Sequence, residues 1–192
     1  MASKPGERKL QILQTVAHML EQPKGEKITT AALAAKLELS EAALYRHFAS
    51  KAQMFEGLIE FIEQTVFGLI NKITQEEKSG RKQVEAVIAM LLGFAQKNRG
   101  MSRVLIGDAL VNEDERLQQR INQLMDRLEA TLKQSLRMAA TQGEMGAAVD
   151  VGAYASVLLC YVIGRWELFA KSGFTRDPLA GWPAQAAILL GK

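Results

Sequence analysis

Cysteine is nearly absent from this sequence: Cys160 is the one thiol in 192 residues. That excludes an intramolecular disulfide framework and any cysteine-cluster metal site, and it fits a reducing compartment. Histidine is as scarce, with only His18 and His47. There is no Gly-x-Ser-x-Gly elbow, phosphate-cradling glycine-rich loop or His-Glu-x-x-His pair, so catalysis, a metal and a cofactor are not expected. Proline is limited to four residues and charged residues to 23%, against 48% hydrophobic, a composition that supports a packed core and not a disordered chain. No apolar run reaches the roughly 20 residues that span a bilayer. The longest uncharged stretch, 151–164, is bracketed by Asp150 and Arg165 and reads as a buried helix in which Cys160 is an inert filler. The opening MASKPGERKL lacks the apolar core of about 7 to 15 residues that an export signal carries. The expected address is the cytoplasm, with no membrane partner.

The charge that is present is uneven. Lysine and arginine total 24 against 21 aspartate and glutamate, leaving +3. Residues 1–51 hold eight basic and five acidic side chains, and residues 52–192 hold sixteen of each. The excess therefore lies in the first quarter, as expected if that quarter meets a polyanion.

Strand signals are missing as well, with no sustained alternation and no Asn-Gly or Asp-Gly turn. Helical periodicity recurs instead, so the expected class is all-α. Leu10, Leu13, Val16, Ala17 and Leu20 step by three and four in a first helix that stops before Pro23 and Gly25. Thr29 or Thr30 caps a second helix from 31 to about 36, and Ser40 opens a third over 41–48. A long helix follows from Lys51 to about Ile73, then a polar break over 76–82 and a helix over about 84–97 that is apolar on nearly every side. Asn98-Arg99-Gly100 is expected to end it, before a short segment over 101–110. Glu113-Asp114-Glu115 opens a helix with Leu117, Ile121, Leu124, Leu128, Leu132 and Leu136 on one stripe, the pattern of a bundle wall. Helices over 151–171 and about 179–190 close the chain, and their more than one apolar face suits a homodimer.

The stretch TTAALAAKLELSEAALYRHF, residues 29–48, has the pattern of a helix-turn-helix. Ala32, Leu33, Leu37, Leu39, Leu44 and Phe48 fall where two steeply crossing helices pack, and Ala34 and Ala35 permit close approach. The second helix then exposes Glu41, Ala42, Ala43, Tyr45, Arg46 and His47 after Ser40, small and polar residues that a major groove accepts. Lys27, Thr29 and Thr30 stand where free amides and hydroxyls suit a phosphate, with ordinary helix capping as the competing reading. Lys51 is expected to point at the DNA backbone. The domains read as a DNA-binding head, 1–50, and a dimerisation and partner-binding body, 51–192.

The run ITTAALAAKLELSEAALYRHFASKAQMF resembles the DNA-binding domain of the TetR family. That resemblance implies a three-helix head joined by a long helix to an all-helical dimer body, and a palindromic double-stranded DNA site. Glu38 stands where the family usually has glycine in the turn, so a non-glycine residue in a left-handed conformation is expected; Ala49 stands where proline is common. Within the family, SEAALYRHF, MFEGLIEFIE, LLGFAQKNRGMSRVLIGDAL and RLQQRINQL are similar to the nucleoid occlusion subgroup. That implies nucleoid-associated dimers, clustered on DNA, that inhibit assembly of the division GTPase FtsZ and prevent septation over the chromosome.

A receptor for an acidic and apolar FtsZ segment needs an apolar groove flanked by positive charge. The expected residues are Phe61, Thr65, Leu69, Met90, Gly93 and Phe94, with Lys97, Asn98, Arg99 and Arg103 at one end. Gly93 is the informative one, because an interior helical glycine costs up to about 1 kcal/mol and suggests a close backbone neighbour. The alternative function is a transcriptional repressor released by a small molecule, with Met125, Met138, Tyr154, Tyr161, Trp166 and Phe169 lining its pocket, residues that serve equally well as core and dimer contacts.

Overall fold

The computed structural model describes residues 5–22, 28–146 and 148–191. Among them the fold is all-α, in this order: α1 Pro5–Met19, α2 Thr30–Lys36, α3 Glu41–Tyr45, α4 Lys51–Glu76, α5 Gly80–Lys97, α6 Arg99–Leu105, a 3-10 turn Asp108–Leu110, α7 Glu115–Thr141, α8 Val151–Lys171 and α9 Trp182–Leu190. Two compact units emerge. The first comprises Met1–Ile62 and Asn98–Ile121, the second Glu63–Lys97 and Asn122–Lys192, so α4 and α7 each contribute to both. Packing thus adds 98–121 to the unit that holds the helix-turn-helix, a division that differs from consecutive segments 1–50 and 51–192.

In the first unit, α1 buries Ile12, Leu13, Val16 and Ala17, whereas Leu10, expected on this face, is 40% exposed. α1 packs on α2 and α6. The tightest approach is at Gly100, which lies inside α6 and does not terminate a helix as expected. A Cβ on Gly100 would stand 1.8 Å from the Ala17 carbonyl oxygen. The break expected there is shorter, because Asn98 alone separates α5 from α6.

In the second unit α5 is central, burying Val84, Val87, Ile88, Leu91, Leu92, Phe94 and Ala95 and packing against α8 and α9. A polar knot closes one end. Buried Ser135 donates to Gln83 Oε1 at 2.9 Å, and Gln83 Nε2 donates to the carbonyls of Thr74 at 3.1 Å and Glu77 at 2.8 Å. These bonds satisfy polar groups that would otherwise be costly to bury. Beside it a Cβ on Gly80 would lie 2.3 Å from the Ala139 amide nitrogen. The α7 stripe is as expected, with Leu117, Ile121, Leu124, Leu128, Leu132 and Leu136 all buried.

α8 starts at Asp150, whose carboxylate accepts from the amides of Gly152 at 2.8 Å and Ala153 at 3.1 Å. By length and composition α8 is apolar enough to cross a membrane. One of its faces is core, burying Ala155, Leu158, Leu159, Val162, Trp166 and Phe169. The opposite face is not the buried surface expected: Val157 is 56% and Leu168 47% exposed, and Cys160 is exposed with them. Separations of three and eight residues, the latter two steps of four through Gly164, place these three residues in one line. α9 begins at Trp182, later than about 179, because the preceding loop is held by Arg165, which donates to the carbonyls of Asp177, Pro178 and Ala180 at 2.9–3.0 Å. Ile188 on α9 is 81% exposed.

Candidate nucleic-acid interface

The helix-turn-helix is built by caps on both sides of its turn. Thr29 Oγ1 accepts from the Ala32 amide at 3.1 Å and Ser40 Oγ from the Ala43 amide at 3.1 Å, closing the first turns of α2 and α3. Between them, the Leu39 amide donates to the Ala34 carbonyl at 2.9 Å and the Glu38 amide to Ala35 at 3.1 Å. This paired pattern is a Schellman motif, which needs a left-handed residue after the C-cap. Glu38 fills that position with φ 54°, as its replacement of the family glycine implied. Glu38→Gly is expected to raise stability by about 1 kcal/mol through relief of left-handed strain, read as a higher urea midpoint at unchanged slope. Ser40→Ala is expected to lower it by about 1 kcal/mol.

The turn brings α2 and α3 together over Leu33, Ala34, Leu37, Leu44 and Phe48, all buried. Ala32 and Ala35, placed at this crossing from sequence, are exposed, whereas Ala34 is buried. The helix is shorter than the span 41–48, with Arg46 as its C-cap. What remains outward is a compact face: Glu41, Ala42, Tyr45 and Arg46 are exposed, and Ala43 and His47 are half-buried. Tyr45 stands out, an aromatic ring 44% exposed.

Several expected contacts are otherwise engaged. Thr30 Oγ1 donates to Glu41 Oε2 at 2.7 Å, so these two side chains tie α2 to α3. Thr29 and Ser40 spend their hydroxyl oxygens as caps. Lys51 does not project freely toward a DNA backbone as expected. Its ammonium binds the Glu113 carboxylate and lies 5.7 Å from the centre of the Phe55 ring, with 22% of the side chain exposed. The physical reason is the acid opposite it, carried by the segment before α7 that sequence periodicity could not bring there. Glu113 is the residue that sequence reasoning missed at this site. Lys27 lies outside the described residues.

The expected partner groove divides between the units. Phe61, Asn98, Arg99 and Arg103 belong to the first, and Thr65, Leu69, Met90, Gly93, Phe94 and Lys97 to the second. Phe94 is core at 6% exposure, whereas Leu69 is 41% exposed, Met90 and Thr65 are half-buried and Lys97 is exposed. Gly93 has no backbone pressed against it within the unit, since an added Cβ would meet Leu179 Cδ1 at 3.7 Å, ordinary contact. Arg103 is not a free flanking cation, being held by Asp108 at 2.7 Å and donating to the Gln22 carbonyl at 3.4 Å.

The residues named for a small-molecule pocket are not gathered in any one of the clefts described among these residues. Trp166 is fully buried and donates from its indole nitrogen to the Leu91 carbonyl at 3.1 Å, and Phe169 packs edge-on against Phe174. Tyr161 packs against Trp182 with ring centres 5.8 Å apart. Tyr154 and Met138 border two different clefts.

Comparison with known proteins agrees with this geometry. Residues 17–58 match the model for bacterial regulatory proteins of the TetR family, and residues 78–191 match the SlmA-like tetracycline-repressor-like C-terminal domain. Nucleoid occlusion factor SlmA of Alteromonas mediterranea is 51% identical over 177 residues, covering 92% of this chain and 91% of that protein. The protein of the same name from a Marinomonas species is 47% identical over 189 residues, 98% and 96% of the two chains. Among solved structures, the fatty acid degradation regulator FadR of Bacillus halodurans superposes with a TM-score of 0.81 at 15% identity, covering 98% of this chain and 97% of the other. That likeness speaks for the fold alone. On its helix-turn-helix and on relatives similar over nearly its full length, the chain belongs to the nucleoid occlusion factor SlmA family, within the TetR-type DNA-binding regulators.

Proposed function

We propose that this chain binds a palindromic DNA site as a homodimer and, when bound, inhibits FtsZ assembly over the chromosome, preventing premature septation. The observation that carries the DNA half is the outward face of α3, where small Ala42 and Ala43 flank the longer Tyr45, Arg46 and His47. Small residues let the helix sit deep in a major groove, and the longer ones reach bases and phosphates. A two-fold dimer then spaces its half-sites by about 34 Å. The line of Val157, Cys160 and Leu168 on α8, with Ile188 on α9, supports dimerisation through these helices. The work of the protein is cytoplasmic and nucleoid-associated, with head 1–50 as reader and body 51–192 as dimer and partner surface.

Arg46→Ala is expected to weaken DNA binding and lower the salt slope by about one unit. Lys51→Ala should change the slope less, because a phosphate recruits Lys51 only by displacing Glu113. Equal slope changes in the two variants would show that DNA breaks that ion pair. For the FtsZ half, Thr65, Leu69, Met90, Gly93 and Lys97 remain the proposed contact set. The deciding experiment is FtsZ sedimentation with this protein, with and without DNA that it selects from a random library. DNA-dependent loss of FtsZ polymer supports the reading; FtsZ assembly indifferent to the DNA-bound protein overturns it. Lys97→Glu is expected to abolish FtsZ pull-down at unchanged DNA affinity. A repressor with a pocket built on Trp166, Phe169 and Tyr161 is disfavoured, because these rings are packed or bonded within the second unit.

A further inference from the structure

A cleft of about 390 Å³ opens in the second unit, between the start of α5, the end of α7 and the loop after it, the start of α8 and the end of α9. Its walls are mostly apolar, with Val84, Leu136, Ala139, Met145 and Val149. Tyr154 closes one side, its hydroxyl donating to the Leu189 carbonyl. Two charged residues line the cleft, Arg81 and Glu144. The Glu144 carboxylate accepts from the Arg81 backbone amide at 2.9 Å, which caps the first turn of α5 and holds that carboxyl below its usual range. The Arg81 guanidinium is left over. Its Nε and Nη2 are shielded from solvent and have no hydrogen-bond partner among the described residues. Buried donors are nearly always paired, and two shielded donors of one half-buried guanidinium without an acceptor are a costly exception.

We propose that this cleft binds a small monoanionic carboxylate with an apolar body. The acid group accepts from Arg81, for which the two-pronged match of carboxylate and guanidinium is the favoured geometry. The body lies along Leu136, Met145 and Val149. A volume of about 390 Å³ is near the lower end of small-molecule sites, which suits a medium-chain acid and not a bulky polycyclic ligand. The Glu144 carboxylate, which lines the same cleft, disfavours a dianion such as phosphate. The site does not depend on the division role and uses none of the residues assigned to DNA or FtsZ.

The test is calorimetric titration of the full chain with decanoate, with decanol as the uncharged isostere and acetate as the acid group without a body. Saturable decanoate binding at least about tenfold tighter than decanol is expected. Arg81→Gln should reduce decanoate to the decanol level, with its melting curve showing that the variant is folded. Val149→Trp, which narrows the cleft from a 41% exposed position, should weaken both ligands and provides a second route if the arginine variant unfolds. No saturable decanoate binding, equal affinity in wild type and Arg81→Gln, or acetate binding as tightly as decanoate would overturn the proposal.

Discussion

Gly100→Ala is expected to cost about 3–5 kcal/mol and to abolish DNA binding at temperatures where the wild type is fully folded. The added Cβ would sit 1.8 Å from the Ala17 carbonyl oxygen, 2.8 Å from its carbon and 3.1 Å from Leu20 Cβ. Two of these three atoms are backbone, so no rotamer change relieves the overlap, and α6 must move off α1. α1 also packs on α2, so the helix-turn-helix loses part of its support in the same step. Calorimetry should show the melting temperature lowered by about 10 °C or more. Gly68→Ala is the control: nothing lies within 4 Å of a Cβ there, in mid-α4, and helix propensity predicts a gain of up to about 1 kcal/mol. A Gly100 variant melting within about 2 °C of wild type would show that α6 yields without cost.

Leu168→Glu, alone or with Val157→Glu, is expected to raise the dimer dissociation constant by at least about a hundredfold, because a carboxylate carried into a subunit seam has no partner there. Protomer stability should hardly change, since both side chains are about half exposed. A monomer presents one recognition helix, so affinity for a palindromic site should fall with the dimer while affinity for non-specific DNA falls less. Sedimentation showing an intact dimer in the double variant would place the seam elsewhere.

Local periodicity alone specified the all-helical class, the cap at Ser40 and a cap at Thr29 or Thr30; the structure chose Thr29 and showed Asp150 capping α8. It also placed the turn between α2 and α3 and the leucine stripe of α7, while the left-handed conformation of Glu38 followed from the family resemblance, whose members carry glycine there. These features depend on neighbours within about four residues, which a linear pattern records. The outward face of α3 was legible for the same reason, since one short amphipathic helix determines which of its side chains can point away. Other features depended on residues far apart in the chain. Sequence made Lys51 a phosphate contact, but Glu113, sixty-two positions on, claims its ammonium. It made Gly100 a helix terminator, but the Ala17 carbonyl requires a glycine inside a helix there. It made Cys160 a core filler, whereas α5 covers only one side of α8. Sequence left Trp166 open between a pocket wall and the core, and the Leu91 carbonyl holds it in the core. The sequence by itself determined which segments are helices and which short helix faces outward. Only the tertiary structure decided which charges remain available and which apolar faces remain uncovered, because pairing and burial are set by the element that packs opposite.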